Sequence, residues 1–313
     1  MAQRLVHGED FTLASLRGEP KRMRREASVR ALLFATAALS VVVSALIVLT
    51  LIREAFTFVS QVDLSALWTE GWFPRRAMYD VKTIFVGSVL VTAIAMLVAA
   101  PLGMGAAVYL SEYAKPRVRR ILKPVLEILA GIPSVVLGFF ALTWISPEIV
   151  QRINPDAALF NLLAAGIGVG ILVTPLVASV AEDAMKAVPR ALREASYGMG
   201  ARKVTTSVRV VIPAAVSGLV AAFIIGISRA IGETMVVAIA AGASGGSLFS
   251  LDIFDRGQTM TAAMASLAGG TDAVKGAGLT FQSLFFVGIL LFVLTLMLNL
   301  FASRFVRRVR QRY

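Results

Sequence analysis

Cysteine is absent and histidine occurs once, as His7, in a chain of 313 residues. The first absence excludes disulfides and thiolate metal sites and leaves the redox compartment open. The second leaves histidine-based catalysis and a histidine-rich metal centre without residues. Charged residues make up only 16% of the chain, against about a quarter in a soluble globular domain. No GxxxxGK[ST] stretch is present to cradle a nucleotide, and neither an HExxH pair nor paired intramembrane aspartates occur. The chain is therefore not read as an enzyme, and no metal site is expected in it.

Apolar length is what the chain has in excess. Hydrophobic residues reach 57% and the mean hydropathy is +0.78. Six apolar segments, 31–52, 83–110, 124–145, 159–181, 210–241 and 281–303, are near or above the roughly 20 residues that cross a bilayer as a helix. Helices are the expected form, because unpaired backbone groups are too costly in lipid. The alternating pattern of a membrane barrel is also missing. The fold class is thus an all-α membrane protein with six transmembrane helices.

Basic residues orient such a protein, because they accumulate in cytoplasmic loops. Lys115, Arg117, Arg119, Arg120 and Lys123 follow the second segment; Lys186, Arg190, Arg193, Arg202, Lys203 and Arg209 follow the fourth; Arg304, Arg307, Arg308, Arg310 and Arg312 follow the sixth. The opposite loops balance their few cations with acids. Both termini are expected to be cytoplasmic, and the net charge of +12 is accounted for by topology, with no nucleic-acid partner. The organisation expected is a basic cytoplasmic tail over 1–30, a six-helix domain over 31–303 with a cytoplasmic loop at 187–209, and a basic tail over 304–313. The first tail is suited to anionic lipid. Trp68, Trp72, Phe73 and Tyr79 read as an interfacial aromatic set.

Ionisable residues inside the apolar segments are scarce: Glu127, Arg229 and Glu233, with Glu182 and Asp183 at the end of the fourth. A charge at the helix centre costs about 2.5–3.5 kcal/mol on insertion scales, so it turns towards protein or a water-filled cavity. Arg229 and Glu233 stand four apart and within reach of each other. They can be a self-neutralising pair that locks packing. They can equally line an anion pathway with Ser228 and Thr234, the guanidinium offering paired donors to an oxyanion. Gly131-Ile132-Pro133-Ser134 can be a broken helix at a transport cavity or a packing kink. Gly242–Gly246 can be an anion nest or a plain turn, and no basic residue accompanies it in sequence.

One polar stretch lies between two apolar ones. From Ala187 to Pro213 it reads AVPRALREASYGMGARKVTTSVRVVIP, with Glu194, Ala195 and Ser196, then Gly200, then Val210, Ile212 and Pro213. This resembles the EAA loop of ABC-importer permeases, departing from it at Ser196, where alanine is usual. Gly200 is placed to end the helix in a left-handed conformation and Pro213 to open the next. The runs GISRAIGETMVVAIAAG and GIPSVVLGFF are similar to permease subunits of the phosphate-specific ABC importer, the PstC type. The resemblance implies a type I ABC importer permease in the bacterial cytoplasmic (inner) membrane. Its partners would be a PstA-like second permease, a PstB-like ATPase dimer carrying ATP and magnesium, and an extracytoplasmic PstS-like phosphate-binding protein. Arg229 and Glu233 would line the phosphate pathway. Glu194, Ala195, Ser196 and Gly200, with Pro189 and Arg190 ahead of them, would meet the ATPase. Sulfate or molybdate as substrate, or a signalling scaffold that binds an ATPase without moving solute, are the competing readings.

Overall fold

The computed structural model describes residues 20–68, 71–242, 245–269 and 279–309. Its contacts divide the chain into two units, residues 1–50 and residues 51–313. In the first, helix α1 (Pro20–Gln61, which continues into the second unit) begins inside the expected tail. Proline suits that first position because its missing N–H needs no partner there. Residues 1–19, with His7, lie outside the described residues. Leu33, Phe34, Leu39 and Leu46 are exposed. Thr36, Ser44 and Thr50 return their hydroxyls to carbonyls three or four residues back, which pairs these three donors within the helix.

The second unit continues with β1 (Gly71–Phe73), β2 (Met78–Tyr79) and α2 (Val81–Tyr113). Next come α3 (Pro116–Leu129), α4 (Ser134–Ile153), α5 (Leu162–Lys186) and α6 (Arg190–Gly198). The chain then forms α7 (Lys203–Ile231), α8 (Met235–Ala240), β3 (Ser247–Leu248), α9 (Met260–Ala268) and α10 (Thr280–Val309). Six helices among the described residues are long and apolar enough to cross a membrane. The strands form one small antiparallel sheet, ordered β2-β1-β3, at the start of α2. Asp80 caps α2 by accepting from the Lys82 N–H at 3.1 Å and the Thr83 hydroxyl at 2.7 Å. Asn161 caps α5 by accepting from the Ala164 N–H at 2.7 Å.

The centre of the core is α2 against α5. Val91, Ala95 and Ala99 meet Ala165, Val169 and Val173, all buried. Gly166 and Gly170 let the backbones close up: a Cβ on either would lie 2.6 Å and 2.7 Å from the Cβ atoms of Ile94 and Val98. Without a hydrophobic drive between helices in lipid, this kind of close packing supplies the association.

Two expected spans need correction. The segment 124–145 is not one helix, because α3 stops at Leu129 and α4 starts at Ser134. Pro133, with ψ 131°, holds the extended conformation that breaks the run. Glu127 therefore sits on α3, exposed, outside the candidate spans. The segment 210–241 is likewise divided into α7 and α8 by Gly232, Glu233 and Thr234. Pro213 stands, as expected, in the first turn of the α-helical run Ile212–Ile231 of α7, directly after a π-helical turn over Ser207–Val211. Its missing N–H and its ring both disfavour the regular ladder there. The expected aromatic belt also separates. Trp68 is exposed, while Trp72 and Tyr79 are buried against Phe58 and Ile84.

Candidate functional site

The break between α7 and α8 gathers the intramembrane charges. Gly232 caps α7, and the backbone resumes helical hydrogen bonding at Met235. Glu233 lies in the gap with its side chain 3% exposed, and Arg229 Nη1 approaches its Oε2 at 3.3 Å. Glu233 Oε1 accepts from the Met235 N–H at 3.2 Å, taking up a donor that the new helix start leaves free. Its backbone carbonyl accepts from the Thr261 hydroxyl of α9 at 2.8 Å. The carboxylate is thus fixed on both oxygens, whereas half of the Arg229 side chain remains exposed.

The other two expected pathway residues are placed differently. Ser228 Oγ is buried without a hydrogen-bond partner among the described residues. Thr234 donates to the Gly232 carbonyl at 3.3 Å. It lines a cavity of about 680 Å³ with Met264, Phe281, Leu284 and Phe285. Those walls are apolar, so an anion would find no partner there.

The second site is α6, at the opposite end of α2 from the sheet. The helix closes in a Schellman motif: the Ala201 N–H bonds the Ser196 carbonyl at 3.1 Å and the Gly200 N–H bonds Tyr197 at 2.9 Å. Gly200 holds φ +79°, which a side chain would strain. Arg190, Glu194 and Ala195 are exposed, as are Tyr197 and Met199, the latter to 88%. Ser196, where the resembled pattern has alanine, uses its hydroxyl to meet Thr206 Oγ1 at 2.9 Å. Pro189 is the N-cap of α6.

Sequence reasoning missed what fastens α6. Arg193 donates to the Met185 and Val188 carbonyls at 2.8 and 2.7 Å, capping α5. It also pairs with Glu112 of α2 at 3.0 Å, and that carboxylate is only 4% exposed. The partner is 81 residues away, so no local pattern announces it. Similarly, Glu182 on α5 is fully buried, and its carboxylate is met by Arg119 at 2.8 Å, Lys123 at 2.9 Å and Lys186 at 2.5 Å. Lys123 also reaches Asp183 at 2.6 Å. Burial pulls the Lys123 amine down, but hydrogen bonds and charges from Asp183 and Glu182 outweigh it, so its pKa stands above the ordinary lysine value.

The run Gly242–Gly246 also fits the spelling of a serine-hydrolase elbow. However, the two-residue β3 follows it and no helix does, and the chain's one histidine is far off in sequence. Ala243 and Ser244 lie outside the described residues.

The core of membrane-length helices, two of its expected spans broken, carries one short exposed helix, α6. The chain belongs to the family of binding-protein-dependent transport system inner membrane components, which it matches over residues 99–311. It is 33% identical over 229 residues to a probable ABC transporter permease protein, YqgH, of Bacillus subtilis, covering 71% of this chain and 74% of the relative. To the phosphate transport system permease protein PstC of Mesorhizobium japonicum it is 30% identical over 284 residues, 85% of each chain. A solved bacterial alginate ABC transporter shares the fold, with TM-score 0.67 at 15% identity over 93% of this chain and 98% of that one. The protein is an ABC importer permease subunit of type I fold, and catalysis belongs to a separate ATPase subunit.

Proposed function

We propose that this permease moves inorganic phosphate into the cell through a passage that includes Arg229. The observation that carries the reading is the half-exposed guanidinium held at a helix break by a buried carboxylate. A free arginine in a dry passage would hold an oxyanion too tightly to release it. Glu233 offsets part of that charge, and conduction needs binding weak enough to let the ion leave. The PstC name of the Mesorhizobium relative supports phosphate as the ion. In this reading Ser228 lies behind Arg229 and Thr234 shapes the break, while both termini and α6 are cytoplasmic. Glu194, Ala195, Ser196, Gly200 and Arg190 meet the ATPase. A PstA-like permease completes the passage, and a PstS-like protein delivers phosphate from outside. ATP and magnesium stay on the PstB-like ATPase dimer.

Uptake of labelled phosphate and, in parallel, sulfate by cells expressing the chain with its neighbouring subunits tests this. Arg229→Gln is expected to abolish ATP-dependent phosphate uptake at unchanged membrane levels. Uptake of sulfate alone would overturn the substrate. Full phosphate uptake by the variant would overturn the pathway.

A further inference from the structure

We propose a second oxyanion site in this chain, formed by Arg75 and the glycine turn Gly245-Gly246, at the end of α2 opposite the docking helix. The inference rests on the reading above for its direction: this end faces outward, and the site receives the anion before Arg229 does.

The sequence shows the glycine run without a base beside it. The sheet supplies one from 170 residues earlier in sequence (245 less 75). Gly71 pairs with Leu248 and Trp72 with Ser247, antiparallel. Continuing that register sets Gly246 across from Phe73 and Gly245 across from Pro74, so the glycines end beside Arg75. The fit is close. A Cβ on Gly246 would lie 2.4 Å from the Trp72 carbonyl oxygen and 2.3 Å from the Phe73 ring. Both glycines hold positive φ, +106° and +127°, a backbone region that side chains rarely adopt, so the turn leaves the cleft wall bare of side chains.

Between the two loops is a cleft of about 280 Å³, with Trp72, Arg75, Gly245, Gly246, Gln258 and Ser266 in its walls. No carboxylate among the described residues lines it. Arg75 is exposed and makes no ion pair among the described residues. Its neighbour Arg76 is different, lying over the Phe73 ring with its guanidinium carbon 5.7 Å from the centroid. Among the described residues the cleft therefore offers one exposed guanidinium, the polar side chains of Gln258 and Ser266, a glycine wall and no carboxylate, a setting suited to a tetrahedral oxyanion. Its back wall also leads inward. Gln258 Nε2 donates to Ser266 Oγ at 3.1 Å, and three residues on, Thr261 bonds the Glu233 carbonyl. One short segment is thus shared by the cleft and the helix break.

The chain has no cysteine, so Ser266→Cys puts a single thiol of this subunit in the cleft of the assembled transporter. Its reaction with a membrane-impermeant maleimide added from outside is expected to slow saturably with inorganic phosphate and not with chloride at equal ionic strength. Adding Arg75→Gln should weaken that protection about tenfold, the scale of a lost charge-assisted hydrogen bond, while adding Arg229→Gln leaves it intact. In uptake, Arg75→Gln should raise the phosphate concentration for half-maximal rate by a similar factor. The proposal is overturned if phosphate gives no protection, or if Arg75→Gln changes neither readout. It is also overturned if that variant only loses the extracytoplasmic binding protein while phosphate protection persists, because the arginine is then a protein contact. Failure of the Arg229 pathway would leave the labelling result untouched, so the two readings fail separately.

Discussion

Gly200 and Glu233 show how single residues here are fixed by backbone chemistry. Gly200 is the left-handed residue that closes α6. Gly200→Ala adds the steric cost of a left-handed Cβ, about 1–2 kcal/mol. It should fray the docking helix and reduce recovery of the ATPase subunit in co-purification, with folding of the membrane spans retained. Full recovery would show that the helix end is not part of the contact. Glu233 takes two N–H groups from the restarted helix, those of Met235 and Val236, and one guanidinium contact, so its carboxylate is held by neighbours within four residues. That pair was legible in the sequence because it is local, four residues apart. Ser228 and Thr234 are neighbours of that pair in sequence only, and the structure leaves the Ser228 hydroxyl buried without a partner among the described residues and sets Thr234 against apolar rings.

At the level of elements, the six spans were legible because lipid demands long apolar runs. The breaks were less so. Hydropathy averages across both breaks: Ala130–Pro133 is apolar or small, and the single charge of Gly232–Thr234 is outweighed by the apolar runs on either side, while the backbone stops being helical. The ties between elements were not legible at all. Arg193–Glu112 and Arg119–Glu182 join residues far apart in sequence, and a basic loop reads the same whether its cations face water or a buried acid. Glu182→Ala leaves Arg119, Lys123 and Lys186 together without their shared anion. Breaking such a cluster costs about 3 kcal/mol or more, and partial exposure of the cations places this case at the low end. The expected outcome is a lower thermal unfolding temperature of the purified complex. The Lys123 contribution has a definite sign. Its pKa is raised on folding, so its stabilisation is complete below the unfolded lysine value and is lost only as pH climbs through the higher folded value. A melting temperature flat from neutral to mildly alkaline pH, then falling, is the expected profile; a fall beginning near neutrality would point to another group.

At the level of the whole molecule, topology is the testable quantity. With no native cysteine, Ser65→Cys and Tyr197→Cys each introduce one reporter at an exposed position. An impermeant thiol reagent outside intact cells should label the first and not the second, and inverted membrane vesicles should reverse the result. Labelling of Tyr197→Cys from outside would invert the orientation and with it the direction of transport.

The glycine-mediated seam between α2 and α5 has a mechanical consequence. Two rods joined along their length resist bending far more than either alone, and a close-packed interior transmits displacement instead of absorbing it. The α2 helix of 33 residues is about 50 Å long at 1.5 Å per residue. The Arg193–Glu112 tie grips one end of it, and the β-sheet beside Arg75 adjoins the other. Displacement of α6 is therefore expected to reach the sheet end of α2 as tilt of a stiff lever.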